Sequence, residues 1–437
     1  MRADGTFKLS FYNIILDESA AEVQLWNTKR GSIVKLERPV YEEFERSDFE
    51  GAGKQYIETL LKEGVLVPAG LNERQEILFR ARQRQYSTAY ESFGFVVAPT
   101  LACNFHCPYC FEEGIARRGT MSEEVQRAFV RALEKKLREN AQVKSVRITW
   151  FGGEPLLAYD AVLLPLQGAL TELCGRMGVR VSFSIITNGY YLTAEKFDPL
   201  FKEGGTKFVQ ITLDGSEGEY AKRKGTTAKA FHRVIENILD LSDYLCRESI
   251  QAKIHIRFNA DNANYADIKE LAARLKAADR AHENIDLALE RLREYGPCLQ
   301  LTDYCTTEEF EDLKYDFDGF IGKAFKFPEP KTVFCGQHCM NAFCIGPEGE
   351  IYKCEHDLGV PEHVIGNIET GLTYDQYFLD FMDQPLPEKC LNCQILPVCM
   401  GGCPHRRFAM GGRVECDFTI KNLVRAVKRS LQEKEVK

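Results

Sequence analysis

Three cysteines, Cys103, Cys107 and Cys110, stand at the spacing Cys-x3-Cys-x2-Cys within Thr100-Leu101-Ala102-Cys103-Asn104-Phe105-His106-Cys107-Pro108-Tyr109-Cys110-Phe111. The apolar run Phe93-Gly94-Phe95-Val96-Val97-Ala98-Pro99 precedes them and reads as a buried strand. Three thiolates bunched on a loop past a strand end can hold three irons of a four-iron, four-sulfur cluster. The fourth iron then stays open to a small molecule. Free loop thiols are the plain alternative, and structural zinc would want a fourth close ligand. Cysteines this dense in an intracellular chain point to metal or redox chemistry.

This run, with the aromatic Tyr109 before its last cysteine, resembles the signature of the radical SAM enzymes. The resemblance implies that the open iron chelates the methionine part of S-adenosylmethionine. One electron from the cluster would then cleave the sulfonium to a 5′-deoxyadenosyl radical.

A chain of 437 residues, 44% hydrophobic and 27% charged, fits a globular protein of two or three domains. No apolar stretch approaches the roughly 18 residues that cross a bilayer, and the N-terminus lacks a signal-peptide core. A cytoplasmic location with reduced thiols is the expectation, with no membrane partner. The net charge of -8 and the lack of basic runs argue against nucleic acid as a partner.

In the first ninety residues, 7–16, 22–26 and 32–36 alternate as strands, then 39–49 and 52–63 carry helical spacing. Residues 73–90 are charged and read as a helical linker. This α+β arrangement resembles the winged-helix-like peptide-recognition module that precedes many peptide-modifying radical SAM enzymes. There a leader peptide adds a strand to the sheet edge; a packing appendage without a ligand is the alternative.

From Phe93 to about residue 295, strands alternate with amphipathic helices, the pattern of a parallel sheet covered by helices. Strands are predicted at 95–99, 146–151, 181–187, 208–213, 254–259 and 285–289. Helices are predicted at 123–140, 158–177, 194–202, 230–245 and 266–277. Alternation alone does not separate a barrel from an open doubly wound sheet. The resemblance implies a partial (β/α)6 barrel with its chemistry at the carboxyl ends of the strands. Three strand ends bear family motifs. Gly152-Gly153-Glu154-Pro155 would bind the amino group of S-adenosylmethionine, with Glu154 supplying either charge or loop support. Thr187 and Asn188 would face ribose hydroxyls, an Asn-Gly turn being the alternative. Thr212-Leu213-Asp214-Gly215 matches the family, which usually continues with a histidine a few residues on and then an arginine; this chain departs from that, with Tyr220 and Arg223 nearby. Arg257 could pair with the methionine carboxylate or simply face solvent. Tyr109, Gly152, Gly153, Glu154, Thr187, Asn188 and Arg257 are thus the expected cofactor-binding residues.

Beyond residue 297 come eleven of the sixteen cysteines. Cys339, Gly349 and Cys354 stand at Cys-x9-Gly-x4-Cys, on a hairpin with a Pro-Glu-Gly turn. Cys390, Cys393, Cys399 and Cys403 follow at Cys-x2-Cys-x5-Cys-x3-Cys, and Cys416 trails them. The pattern resembles the SPASM domain, which implies two auxiliary four-iron clusters and three in all. One would be held by Cys335, Cys339, Cys354 and Cys403, the other by Cys390, Cys393, Cys399 and Cys416. Cys344 is an extra candidate, and zinc is the alternative for Cys-x2-Cys pairs. Cys298 and Cys305 match no motif, while Cys174 and Cys246, on helices, read as small core residues. Glu355 takes the place of an aspartate proposed as a base in sulfatase maturases; a solvated loop carboxylate is the other reading.

The expected division is 1–90 for the recognition-like module and linker, 91–300 for the radical SAM domain, and 301–437 for a bridging region and the SPASM domain. The function implied is maturation of a ribosomally made peptide, with leader, by hydrogen abstraction and thioether or carbon–carbon crosslinking. A flavodoxin or ferredoxin would serve as reductant. The alternatives are an anaerobic sulfatase maturase forming formylglycine and, from another class, a non-catalytic peptide-binding or electron-transfer protein.

Overall fold

The computed structural model describes residues 7–51, 53–112, 115, 119–279, 283–292, 305–324 and 326–435. Cys298 lies outside them. The chain divides into two compact units, one of Met1–Ser87, Ala324–His338 and Gln384–Lys437, the other of Thr88–Lys323 and Cys339–Asp383.

The first unit opens with β1 (Phe7–Leu9), β2 (Asn13–Glu18), β3 (Glu22–Asn27), β4 (Ser32–Glu37), α1 (Arg38–Glu45), α2 (Lys54–Lys62), β5 (Leu66–Pro68) and α3 (Glu73–Gln85). The single strand predicted over 7–16 is broken at Ser10. Its hydroxyl donates to Glu73 at 2.7 Å and accepts from the Tyr12 amide at 3.1 Å, a local bond that competes with the ladder. So β1 pairs with β5, while β2, β3 and β4 form a separate antiparallel sheet. The linker helix begins at Asn72, whose side chain caps the Gln75 amide at 3.0 Å.

In the second unit, β6 (Ser92–Val97), α4 (Glu123–Glu139), β7 (Ser145–Trp150), α5 (Leu164–Arg176), β8 (Arg180–Thr187), β9 (Thr206–Thr212), α6 (Glu217–Lys224), α7 (Ala228–Arg247), β10 (Lys253–Ala260), α8 (Tyr265–Ala278), β11 (Ile285–Arg291) and α9 (Thr307–Phe320) follow in order. All six predicted strands are present. They lie parallel in chain order, β6 to β11, without the reversal of a doubly wound sheet. The helix predicted at 194–202 is instead a 3-10 turn, Ala194–Lys196, and a wide turn, Asp198–Glu203. Pro199 there offers no amide to an α-helical ladder.

Alternation decides the faces. Ile254, Ile256 and Phe258 are fully buried while His255 and Arg257 are half-buried. Phe258 meets Phe317 of α9, Phe95 meets Phe129 of α4, and the Trp150 indole donates to Gln167 of α5 at 2.9 Å. Helices therefore seal one face, and the other is more open and partly polar. The segment Pro155–Arg176 is long and apolar enough to cross a membrane by length and composition, unlike the sequence expectation, but it is 50% buried within the protein.

Beyond α9 come β12 (Ala342–Ile345), β13 (Glu350–Tyr352), β14 (Gly366–Asn367), β15 (Gly371–Leu372) and α10 (Gln376–Met382). β12 and β13 form the predicted hairpin, with Cys344 opposite Tyr352. β12 also pairs parallel with β6, which no local pattern announces. Cys344 is completely buried there with Ala98, Leu101, Tyr352 and Leu358.

The last helices, α11 (Glu388–Leu391), α12 (Leu396–Cys399), α13 (Pro404–Ala409) and α14 (Ile420–Glu435), belong to the first unit. Ile14, Leu16 and Trp26 share a core with Ile395, Val398, Leu423 and Val427. Tyr12 and Ile77 share another with Cys390, Leu396 and Met400.

Candidate active site

The cysteine loop leaves β6 and is bonded at once to the loop after β7. Thr100 and Ala102 carbonyls accept from the Gly153 and Glu154 amides at 3.2 and 2.8 Å. A Cβ on Gly152, whose φ is 97°, would fall on the Thr100 carbonyl, and one on Gly153 would fall on those of Leu101 and Ala102. These glycines are thus required by the chain's own loop, where the sequence suggested the approach of a ligand.

Glu154 is completely buried. Its carboxyl accepts from the Leu156 amide at 3.0 Å, the Thr187 hydroxyl at 2.8 Å and the Asn188 amide at 2.8 Å. Of the two roles open to it, the geometry supplies loop support, tying the end of β7 to that of β8. The Thr187 hydroxyl also accepts from Gly189, so it is engaged inside the protein. Asn188 is half-buried and donates to Asn104 at 2.8 Å, with its amide nitrogen 4.0 Å from Cys103 Sγ. Burial pushes the Glu154 carboxyl up to about 7, although its three donors pull the other way. The raised value means protonated Glu154 stabilises the fold fully below the usual carboxylate range, and this is lost as pH rises through about 7. Between pH 5 and pH 8, urea unfolding should show wild type losing roughly 2 to 3 kcal/mol relative to Glu154→Gln. An equal pH slope in both proteins would contradict this burial.

A second buried network stands behind Cys107. The Tyr109 hydroxyl donates to Asp214 and accepts from Lys224, and Lys224 Nζ is 2.9 Å from Asp214. Asp214 also accepts from the Asn259 amide at 3.0 Å. Burial first, then the Asp214 charge, holds the Tyr109 hydroxyl well above its ordinary range. The Lys224 carbonyl accepts from His106 at 3.2 Å and lies 3.8 Å from Cys107 Sγ. Arg223, to which the sequence assigned no role, is buried against Glu219 and, at 2.8 Å, Asp261. Lys224 read as one charge in a basic helix end, so nothing in the sequence marked it out. Arg257 is half-buried on the open face and donates to Asn259 at 3.0 Å. Asn188, Glu154 and Tyr109 are therefore gathered around the cysteine loop.

The residues fit an iron–sulfur cluster on two counts. First, main-chain amides are aimed at the sulfurs. Phe105 donates to Cys103 at 3.4 Å, and the amides of Glu112, His356 and Ile395 serve Cys110, Cys354 and Cys393. Gly401 and Gly402 serve Cys399 in the same way. Such donors favour thiolate and tune bound clusters. Cys174, buried as expected, lacks them, and burial alone pushes it up to about 11, whereas Cys246, also expected in the core, is exposed near the end of α7. Second, the Tyr220 hydroxyl is fully buried with no hydrogen-bond partner, in the field of Cys107, Asp214 and Glu154. Among the described residues no three His, Cys, Asp or Glu side chains converge as on a single ion. Cluster thiolates, each on its own iron, need not converge so closely.

The same unit carries Cys339 and Cys354, while Cys335, Cys390, Cys393, Cys399, Cys403 and Cys416 belong to the other. Phe111 stacks near Phe151, with ring centroids 6.1 Å apart, and meets His356 edge-on at 4.1 Å. The stretch after Cys354 therefore adjoins the first cysteine loop. Glu355 is half-buried, its Oε2 3.9 Å from Cys354 Sγ. Completely buried Asp357 lies 2.9 Å from His363 Nδ1, a pairing without a sequence signal.

Residues 97–273 match the Radical SAM superfamily. The chain carries a radical SAM domain. It is 24% identical over 360 residues to a cysteine-type anaerobic sulfatase-maturating enzyme of Clostridium novyi, covering 72% of this chain and 88% of that one. It is 23% identical to the PqqA peptide cyclase of Rhizobium meliloti over 72% of this chain and 82% of that protein. Among solved structures, anSMEcpe with bound AdoMet superposes with a TM-score of 0.57 at 16% identity, covering 78% of this chain and 96% of that one. Streptococcus suis SuiB bound to S-adenosylmethionine superposes at 0.53 and 17% identity, covering 92% of this chain and 96% of its own. These likenesses agree with the α/β fold and largely parallel sheet described above.

Proposed function

We propose that this enzyme matures a ribosomally made precursor peptide, removing hydrogen and closing a thioether or carbon–carbon crosslink. The observation that carries this reading is the α+β module of β1 to α3, ahead of the radical SAM domain. The broader coverage by SuiB, 92% against 78% for anSMEcpe, is in line with it. SuiB has been solved with its precursor peptide SuiA and anSMEcpe with the Cp18Cys peptide, which supports a peptide as the substrate class.

Bound S-adenosylmethionine and its cluster would supply a 5′-deoxyadenosyl radical. Cys103, Cys107 and Cys110 would hold that cluster at the carboxyl ends of a partial (β/α)6 barrel in the 91–300 domain. Glu154 braces the loop through its three donors. Asn188 would reach ribose hydroxyls, and Arg257 the methionine carboxylate. In the 301–437 region, the SPASM cysteines would hold two auxiliary clusters, one on Cys335, Cys339, Cys354 and Cys403 and the other on Cys390, Cys393, Cys399 and Cys416, relaying the substrate's electron. Glu355 would take the substrate proton. The 1–90 module would hold the leader, winged-helix fashion, and a flavodoxin or ferredoxin would reduce the enzyme in the cytoplasm.

A second reading, formylglycine formation, draws on the 24% identity to the Clostridium novyi maturase. Anaerobic incubation with a precursor peptide encoded beside the gene, followed by mass spectrometry, separates the two. Loss of two hydrogens per crosslink with no trappable aldehyde is expected. An aldehyde captured by a hydrazide probe would favour the second reading, and an unchanged mass would count against the first.

A further inference from the structure

Two buried donors in the first unit face its cysteines without an acceptor. The first is Arg407, only 3% exposed. It stands four residues after Cys403 on α13, whose first turn brings those positions onto one face. Its Nη1 donates to the Gly401 carbonyl at 3.0 Å, but its Nε is buried with no partner. The guanidinium lies within electrostatic reach of Cys390, Cys399 and Cys403. The second donor is the hydroxyl of Tyr12, from the turn between β1 and β2. Tyr12 is 1% exposed, its hydroxyl has no hydrogen-bond partner, it packs in one core with Cys390, and it lies in the fields of Glu73, Arg74 and, more weakly, Cys393.

Leaving such donors buried and unpaired is costly. Their positions beside Cys390, Cys393 and Cys399, three of the four thiols assigned to one cluster, call for an acceptor of negative charge. We infer that Arg407 Nε and the Tyr12 hydroxyl donate hydrogen bonds to the cluster held by Cys390, Cys393, Cys399 and Cys416, and raise its reduction potential. This rests on the reading of those cysteines as cluster ligands. Added positive charge and N–H or O–H donors at sulfur stabilise the reduced, more negative cluster. Both residues are positioning residues, which make this cluster a better acceptor for an electron leaving the substrate.

The test uses full-length, anaerobically reconstituted protein in which Cys103, Cys107 and Cys110 are alanine, which removes the first cluster from the spectrum. Iron and sulfide are counted, and midpoint potentials are read by redox titration with electron paramagnetic resonance. Arg407→Met should lower the midpoint by about tenfold in the one-electron equilibrium constant, or ~59 mV. Arg407→Lys should recover part of that shift, and Tyr12→Phe should give a smaller shift of the same sign. Unmoved midpoints in variants with full iron would overturn the inference while leaving the cluster assignment standing. If Arg407→Met fails to load, Tyr12→Phe, which keeps the ring's packing, decides alone. Absence of iron and sulfide from the parent variant would defeat the ligand assignment, and the inference with it.

Discussion

Replacing Cys103, Cys107 and Cys110 together with alanine should end 5′-deoxyadenosine release under reducing, anaerobic conditions, down to the background of protein-free controls. The effect is expected to be complete because, on the proposed reading, these thiols hold the cluster whose open iron would chelate the methionine part of S-adenosylmethionine. The amide of Phe105 aimed at Cys103 and that of Glu112 at Cys110 show a loop set for thiolates. Apart from metal, burial and Glu112 push Cys110 up to about 12, so cluster binding must displace its proton. Iron should fall by one cluster's complement, while the iron on the SPASM cysteines is retained. Nucleoside release that persists in this variant would mean that the radical arises elsewhere.

Gly153→Ala should have nearly as large an effect without touching a ligand. The added methyl would meet two carbonyl oxygens of the cysteine loop, and backbone has no rotamer by which to yield. Overpacking typically costs about 1–3 kcal/mol, and more where the neighbour is rigid. The expected result is a folded protein with little iron at the first site and no nucleoside release. Gly168→Ala is the control: a Cβ there, on the exposed side of α5, meets nothing within 4 Å. It should be neutral or stabilising by about 0.5–1 kcal/mol. Full iron and activity in Gly153→Ala would show that the two loops can part without consequence.

Much of the second unit was legible because its signals are local. The six parallel strands are short apolar runs between helical periods, and each lies within a few residues of its predicted place. The site's outline was likewise legible, since Cys103, Glu154, Asn188 and Tyr109 lie in short motifs that structure gathers together. What escaped was non-local. β12 joins β6 across most of the chain, and neither strand's pattern names its partner. Lys224 escaped because exposed and buried lysines look alike in a charged helix end; only its neighbours Asp214 and Tyr109 distinguish it. The break at Ser10 depends on distant Glu73, and the broken helix at 198–203 on a proline that outweighs the apolar spacing around it.

The residues of β2, β3 and the turn before β2 that share cores with the final helices also bear on engineering. The front module cannot be exchanged between enzymes as a free-standing cassette. Removing it would strip Ile14, Leu16 and Trp26 from beside Val398 and Val427, and Tyr12 from beside Cys390. A graft meant to redirect peptide choice must carry the tail segment with it, or the donor strands will meet a foreign wall.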